Sequence, residues 1–242
     1  KPANADDPVD LQTQVLSLVP FTPLREPELA KDLGSGENAT GQQANWLIAS
    51  TWDGLYCSKD EKKGWKRLKL QAATSAKPLR INTVATSPHA PGLIYVGTVE
   101  GLYVSTDNGE TFKLTLIDNE ARHIHAIIFD PRTAETIYLG TSTGFFRSSD
   151  GGRSWENRGG GLALLSDIGV LAVNTANPDE LYAGDDLRSS FYHSNDQGRT
   201  WDKLDINQLP STKLWSLSTD PFNPNRLYAA SSSGGVYVMS KR

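Results

Sequence analysis

Apolar residues along this chain recur in short alternating runs, and the runs recur in groups. Ile81-Asn82-Thr83-Val84-Ala85-Thr86-Ser87-Pro88 aligns without gaps with Ile124-His125-Ala126-Ile127-Ile128-Phe129-Asp130-Pro131. It aligns equally with Ile168-Gly169-Val170-Leu171-Ala172-Val173-Asn174-Thr175 and with Leu214-Trp215-Ser216-Leu217-Ser218-Thr219-Asp220-Pro221. Each is a short β-rich run closed by Asp, Asn or Pro, the residues that end a strand in a turn. A second run follows in every group: Ile94-Tyr95-Val96-Gly97, Ile137-Tyr138-Leu139-Gly140, Leu181-Tyr182-Ala183-Gly184 and Leu227-Tyr228-Ala229-Ala230. A turn rich in Gly or Ser leads to a third, as in Gly101-Leu102-Tyr103-Val104-Ser105, and a fourth begins near residues such as Thr111-Phe112-Lys113-Leu114-Thr115. Four short antiparallel strands in a unit of about 45 residues predict an all-β fold, a β-propeller of four-stranded blades.

Between the third and fourth runs stands a motif, Ser-x-Asp-x-Gly-x-Thr/Ser-aromatic. It occurs from Ser58 to Trp65, Ser105 to Phe112, Ser148 to Trp155 and Ser194 to Trp201, with Asp60, Asp107, Asp150 and Asp196 spaced 47, 43 and 46 residues apart. Self-similarity at this period marks an array whose units bury their apolar faces against neighbours. As a hairpin turn the motif makes physical sense. Asp and Ser oxygens accept hydrogen bonds from nearby backbone N–H groups, Gly at the fifth position tolerates a positive φ, and the aromatic fills the gap between adjacent blades.

These motifs resemble those of the Asp-box, or bacterial neuraminidase repeat, superfamily, and the resemblance covers residues 46–242. It implies a propeller and says less about function, because the superfamily mixes enzymes with binding scaffolds. Sialidases and xyloglucan-degrading enzymes stand on one side, the sortilin ectodomain and photosystem II assembly factors on the other. The first motif departs from the pattern, with Lys62 in place of Gly and Gly64 in place of Thr, which predicts a looser turn.

The fifth unit ends after Gly235-Val236-Tyr237-Val238 without a fourth strand. An open sheet edge invites pairing, and closed rings remove it. Residues 8–12 are expected to supply the missing outer strand. Val15-Leu16-Ser17-Leu18-Val19 would then start the first blade, with Phe21-Thr22-Pro23 where Phe129-Asp130-Pro131 stands later. On that reading residues 1–242 form a single domain of five blades, with a surface insertion at 24–45 whose helical stretch is Glu26–Leu33. The alternative is a fragment of a larger propeller.

Composition narrows the classes. Lys and Arg number 24 against 28 Asp and Glu, a net charge of −4, so there is no basic excess for nucleic acid. No apolar run approaches the roughly 20 residues of a membrane span. Cys57 is the sole cysteine, which excludes an internal disulfide and a Cys-cluster metal site; in a third strand it reads as a buried, inert thiol. The start at Lys1 and the family tendency together suggest the periplasm, the exterior or an organelle lumen.

The repeated aspartates are poor catalytic candidates, since repetition spreads them over the blades whereas a glycosidase pair sits about 5–10 Å apart. The sialidase signature has no counterpart beyond Leu79-Arg80-Ile81-Asn82, which lacks its aromatic and proline. Better candidates are polar residues that do not repeat at positions the repeat makes equivalent. Where the first strand begins these are Arg80, His123, Asp167 and Lys213, then Asn82, His125, Gly169 and Trp215. The turns between second and third strands add Trp52, Asp53, Glu100 and Asp185-Asp186-Leu187-Arg188. His123 and His125 share a strand face, but no third metal ligand accompanies them.

The expected ligand-binding set at the channel mouth is therefore Trp52, Arg80, His123, His125, Asp167, Arg188 and Trp215, with no catalytic residue, metal or cofactor assigned. The expected function is a monomeric, non-enzymatic, extracytoplasmic scaffold for binding or assembly, with a protein or glycan partner. The alternative is a carbohydrate-binding protein using Trp52 and Trp215 as sugar platforms, or a glycoside hydrolase of the Asp-box type. A hydrolase would draw its carboxyls from Asp53, Glu100, Asp167, Asp185 and Asp186.

Overall fold

A computed structural model of the protein describes residues 15–21, 46–59, 64–70, 79–87, 89–115, 117, 123–204, 213–232 and 234–240. The regular secondary structure of these residues is entirely strand. In the first blade are β1 (Val15–Phe21), β2 (Trp46–Thr51), β3 (Leu55–Ser58) and β4 (Lys66–Leu68); in the second, β5 (Ile81–Thr86), β6 (Ile94–Thr98), β7 (Leu102–Ser105) and β8 (Lys113–Thr115). The third comprises β9 (Ile124–Phe129), β10 (Ile137–Thr141), β11 (Gly144–Ser148) and β12 (Glu156–Asn157). The fourth comprises β13 (Ile168–Val173), β14 (Leu181–Asp185), β15 (Ser190–Ser194) and β16 (Asp202–Leu204), and the last β17 (Leu214–Thr219), β18 (Arg226–Ser231) and β19 (Gly235–Ser240).

Consecutive strands pair antiparallel in five sheets, four of four strands and one of three, as blades of a β-propeller. Val15–Val19 does open the first blade, with Leu18 opposite Ala49 and Phe21 opposite Trp46. The strand expected at 8–12, the insertion at 24–45 with its helix at 26–33, and Asp60 with its neighbours to Lys63 lie outside the described residues. Two compact units divide the chain: residues 1–115 carry the first two blades, residues 116–242 the other three.

Within each unit the core lies between sheets. In the first, Ile48, Leu55 and Cys57 of one blade meet Ile81, Val84, Ile94 and Tyr103 of the next. In the second, Tyr138 and Phe145 pack against Ile168, Leu171, Leu181 and Trp201, and Tyr182 and Phe191 against Leu214, Leu217 and Leu227. A second strand buried on both faces explains its unbroken apolar run: every residue of β6, β10 and β14 is buried. Each such apolar side chain contributes about 1.5–3 kcal/mol by burial. Cys57 shares this core, and burial pushes its thiol up to about 11, so it is neither ionised nor reactive near neutrality.

The approach between sheets is close enough to select residues. A Cβ on Gly140 of β10 would stand 2.5 Å from the backbone oxygen of Ile168 in the next blade, while one on Gly184 would stand 2.7 Å from Cγ2 of Val170, its partner across the ladder of its own blade. Glycine at 140 is thus a requirement of blade packing, and glycine at 184 of close pairing within the blade.

The Asp motif forms one structure in its three fully described copies. Ser105, Ser148 and Ser194 each donate Oγ–H to the Asp Oδ1 at 2.7–2.8 Å, while Oγ accepts the N–H of Gly109, Gly152 or Gly198. Asp Oδ1 also accepts the N–H of Thr111, Ser154 or Thr200 at 2.9 Å, and Oδ2 the hydroxyl of the same residue. Those bonds from Ser154 and Ser148 hold the Asp150 carboxyl down at about 2. Not one but two successive residues take positive φ: Asn108 and Gly109, Gly151 and Gly152, Gln197 and Gly198. In the first copy Gly64 also has positive φ, and its carbonyl accepts from Ser58 Oγ. Behind the turn, Trp201 is buried edge-on to Phe145 with ring centroids 5.0 Å apart, donating Nε1–H to the Arg158 carbonyl at 3.0 Å.

Two stability tests follow from these contacts. Asp196→Ala removes three hydrogen bonds and should cost about 1–2 kcal/mol, a fall of about 2–8 °C in Tm by calorimetry, with Asp196→Asn losing less because its amide oxygen still accepts. Gly140→Ala should cost about 1–3 kcal/mol through overpacking against Ile168, read as a lower urea midpoint at unchanged slope.

Candidate functional site

Every inner strand carries the same irregularity. Ile81 pairs with Thr98 and Thr83 with Gly97, so Asn82 is an extra residue without a partner across the ladder. By the same register His125 is extra in β9, Gly169 in β13, Trp215 in β17 and Leu16 in β1. A β-bulge of this kind bends the strand and re-aims the side chain it carries. The residues singled out by repeat alignment thus share a backbone device that releases them from the blade interior. The bulge recurs, but its side chain changes in every blade.

Beside each bulge lies the turn from second to third strand, pinned by a residue the alignment did not single out. Thr51, Thr98 and Thr141 each donate Oγ1–H to the carbonyl of Gly54, Gly101 or Gly144, at 2.8–3.0 Å. The signal was legible as Thr-x-x-Gly, at 51–54, 98–101 and 141–144. Inside these turns Asp53 accepts from Thr51 and Tyr56, and Glu100 from Tyr103 at 2.9 Å. The Thr51 hydroxyl is the main cause holding the Asp53 carboxyl below its ordinary range. The fourth blade replaces Thr with Asp185, a buried carboxylate accepting the N–H groups of Asp167, Leu187 and Arg188. Asp53 and Glu100 are therefore engaged by neighbouring hydroxyls of their own hairpins, and Asp185 by backbone N–H groups.

In the second unit β13 lies against β9 on one side and β17 on the other, which brings polar groups of three blades together. Nε2 of His125 stands 3.1 Å from Oδ1 of Asp167, out of line for a hydrogen bond, and both atoms are shielded from solvent. The His123 ring meets that of His125 edge-on, centroids 6.3 Å apart. Lys213 Nζ stands 3.9 Å from Oδ2 of Asp186, whose carboxyl lies over Gly169 where a Cβ would come within 2.6 Å of it. Gly169 is thus the bulge residue that makes room for Asp186.

The two carboxyls are displaced in opposite directions. His125 beside it holds Asp167 below the ordinary range, against burial and with help from the charges of His123 and Lys213. Burial pushes Asp186 up, opposed by Lys213 and reinforced by Asp167. Trp215, 61% exposed, is the second residue of β17 and follows Lys213 and Leu214.

Of the expected set, the structure brings His123, His125 and Asp167 together and adds Asp186 and Lys213. Arg188 turns away from them: its guanidinium donates to the carbonyls of Leu164 and Leu165 and lies 3.5 Å from Asp185. It is a clamp on a loop rather than a member of the cluster. In the first unit Arg80 stacks on Trp52, its Cζ 4.9 Å from the ring centroid. Among the described residues no group of three His, Cys, Asp or Glu is placed to hold a metal ion, and no helix is long and apolar enough to cross a membrane.

The fold and its bulged inner strands define a β-propeller. Similar solved structures are an ancestral GH74 enzyme (22% identity over 66% of this chain and 22% of that one, TM-score 0.57) and YCF48 bound to D1 peptide (14% identity, 98% and 67%, TM-score 0.62). Another is the extracellular domain of BT4673 from B. thetaiotaomicron (16% identity, 80% and 26%, TM-score 0.63). This chain spans about a fifth of the length of the GH74 enzyme. At these identities the likeness is one of fold. No family profile matches the chain, and no curated protein matches it.

The opposite carboxyl shifts make a signed prediction. Asp186, raised in the folded state, opposes folding once ionised, so stability falls as pH rises through the ordinary carboxylate range. Asp186→Asn should raise Tm at pH 7, with the advantage vanishing well below pH 4. Asp167 has the reverse sign: its contribution is present above the unfolded carboxyl's value and is lost as pH falls through the lower folded one. Asp167→Asn should lower Tm at pH 7, and thermal melts across pH check both.

Proposed function

We propose that the protein is a non-enzymatic, extracytoplasmic scaffold of the Asp-box type that binds a polypeptide at the bulged ends of its inner strands. The observation that carries this reading is a constant bulge bearing a variable side chain. The bulge recurs from blade to blade, beside turns pinned by Thr51, Thr98 and Thr141 in the first three blades and by Asp185 in the fourth, while Asn82, His125, Gly169 and Trp215 differ at the one position it frees. A rigid frame presenting varied side chains is the arrangement of a binding surface. Exposed Trp215, two residues after Lys213 on the strand packed against β13, offers an aromatic anchor. YCF48, bound to a peptide in its own structure, supports a polypeptide ligand.

A second reading rests on a different observation. Asp167 and Asp186 lie in one cluster with carboxyls pushed apart, the pattern by which one acts as base or nucleophile and the other as acid. With the likeness to a GH74 enzyme this supports glycoside hydrolysis.

Incubation with a panel of extended peptides and a panel of oligosaccharides, read by mass spectrometry for retention and cleavage, separates the two. Peptide retention is expected, weakened about tenfold or more by Trp215→Ala, with no sugar cleaved. Release of shortened oligosaccharides that Asp186→Asn abolishes would establish the hydrolase. Sugar retention without cleavage would make the protein a lectin, with Trp52 and Trp215 the next substitutions.

A further inference from the structure

Two loops of the fourth blade hold their leucines in solvent. The turn from β10 to β11 needs only Ser142 and Thr143 between the paired Thr141 and Gly144, whereas Asp186, Leu187, Arg188 and Ser189 separate the paired Asp185 and Ser190. Leu187 in this longer turn is 65% exposed; Leu164 and Leu165, in the loop that leads to β13, are 83% and 57% exposed. Large apolar side chains gathered on adjoining loops mark an interaction surface.

The leucines are fixed in place. Arg188 donates to the carbonyls of Leu164 and Leu165 at 2.6 and 3.2 Å. Asp186 N–H donates to the Asp167 carbonyl at 2.8 Å, and Asp167 N–H to Oδ1 of Asp185 at 3.2 Å, so the two loops are sewn together. Within the first loop, buried Ser166 donates both its N–H and its Oγ–H to the Ala163 carbonyl. Leu165 and Ser189 take positive φ, 57° and 52°, a region that a leucine enters only where its surroundings impose it. Strain and apolar exposure thus coincide at Leu165, and none of the three leucines belongs to the apolar cores that flank the blade. Contact groups held in position beforehand bind without the cost of ordering them.

Charge around the leucines identifies the occupant. Asp167, Asp185 and Asp186 stand on these loops against one cation, Arg188, which is taken up by Asp185 and the two carbonyls. Asp167 faces His125, and Lys213 reaches Asp186 only at 3.9 Å while its side chain stays 66% exposed. Burial still pushes the Asp186 carboxyl up, and a positive group brought against it would favour its ionised form. The surplus of carboxylates disfavours an acidic partner and an anionic lipid surface. We propose, resting on the reading of a polypeptide-binding scaffold, that Leu164, Leu165 and Leu187 form a docking ledge for an extended partner segment that presents apolar side chains and one basic side chain on the same face. The apolar side chains cover the leucines, and the basic one meets Asp167 and Asp186.

The test is fluorescence anisotropy with the labelled, end-blocked peptide Leu-Ser-Leu-Ser-Lys-Ser, which when extended carries two leucines and the lysine on one face, titrated with the whole protein. Saturable binding below about 1 mM is expected. Glutamate for the peptide's lysine, or serine for its leucines, should weaken binding about tenfold or more, and neither change touches the protein's fold. Leu187→Ser and Leu164→Ser in the protein should do the same at unchanged Tm, since both residues are exposed. No saturation, equal binding of the glutamate peptide, or indifference to both leucine variants would overturn the ledge. Flotation of the protein with phosphatidylcholine vesicles, lost in Leu187→Ser, would overturn it in favour of a lipid surface. If the ledge fails while Trp215→Ala still releases peptides from the extended-peptide panel, the scaffold reading stands without it; if the wild type retains no peptide at all, both fall.

Discussion

Burial between sheets is the constraint on which the structure depends. A blade of four short strands has no interior of its own; its apolar side chains are covered only when another sheet lies against them. In the first unit Ile48 and Leu55 are buried because Ile81, Val84 and Tyr103 cover them, and in the second Tyr138 and Phe145 are buried because Ile168, Leu181 and Trp201 do. The same closeness excludes a side chain at Gly140 and places an aromatic behind each described Asp turn. Secondary structure, turn chemistry and residue choice are all consequences of stacking one sheet on another.

That constraint frees one position per blade. Residues inside β6, β10 and β14 answer to two packed faces and vary little, whereas the bulge residue at the head of each inner strand answers to neither. Asparagine, histidine, glycine and tryptophan all occur there. The most informative of these is Gly169, whose missing side chain is filled by the Asp186 carboxyl from the adjoining turn. The fourth blade is the one where the pattern of Thr-pinned turns is broken, with buried Asp185 collecting backbone N–H groups and Arg188 holding the loop at Leu164 and Leu165. Polar chemistry gathers where the repeat departs from itself.

Much of the fold was legible because repetition makes each unit a control for the others. The alternating runs, the second-strand glycines and the Ser-x-Asp-x-Gly turn pointed to the observed strands in order. Positive φ at the fourth motif position was less visible, since Asn108, Gly151 and Gln197 look unrelated until the backbone shows what they share. The Thr-x-x-Gly pin was present in plain sight, but Thr is common in strands and its hydroxyl bond announces itself only in three dimensions. Alignment set His123, His125 and Asp167 at equivalent strand ends, where the structure gathers them, but could not say that Arg188 clamps the Leu164–Leu165 backbone, because a charged loop residue reads the same in either role.

The chain by itself determined the blade architecture, the turn chemistry, a single cysteine and a slightly acidic net charge. Each of these rests on local hydrogen bonding, side-chain period or composition, which are properties of neighbouring residues. Tertiary structure alone decided that one residue per inner strand is bulged outward, that Asp186 rather than Arg188 joins the His125–Asp167 pair, and that the two carboxyls are pushed in opposite directions. Those outcomes depend on register between strands and on burial by other blades. Such distances join residues far apart in sequence, and no local pattern encodes them.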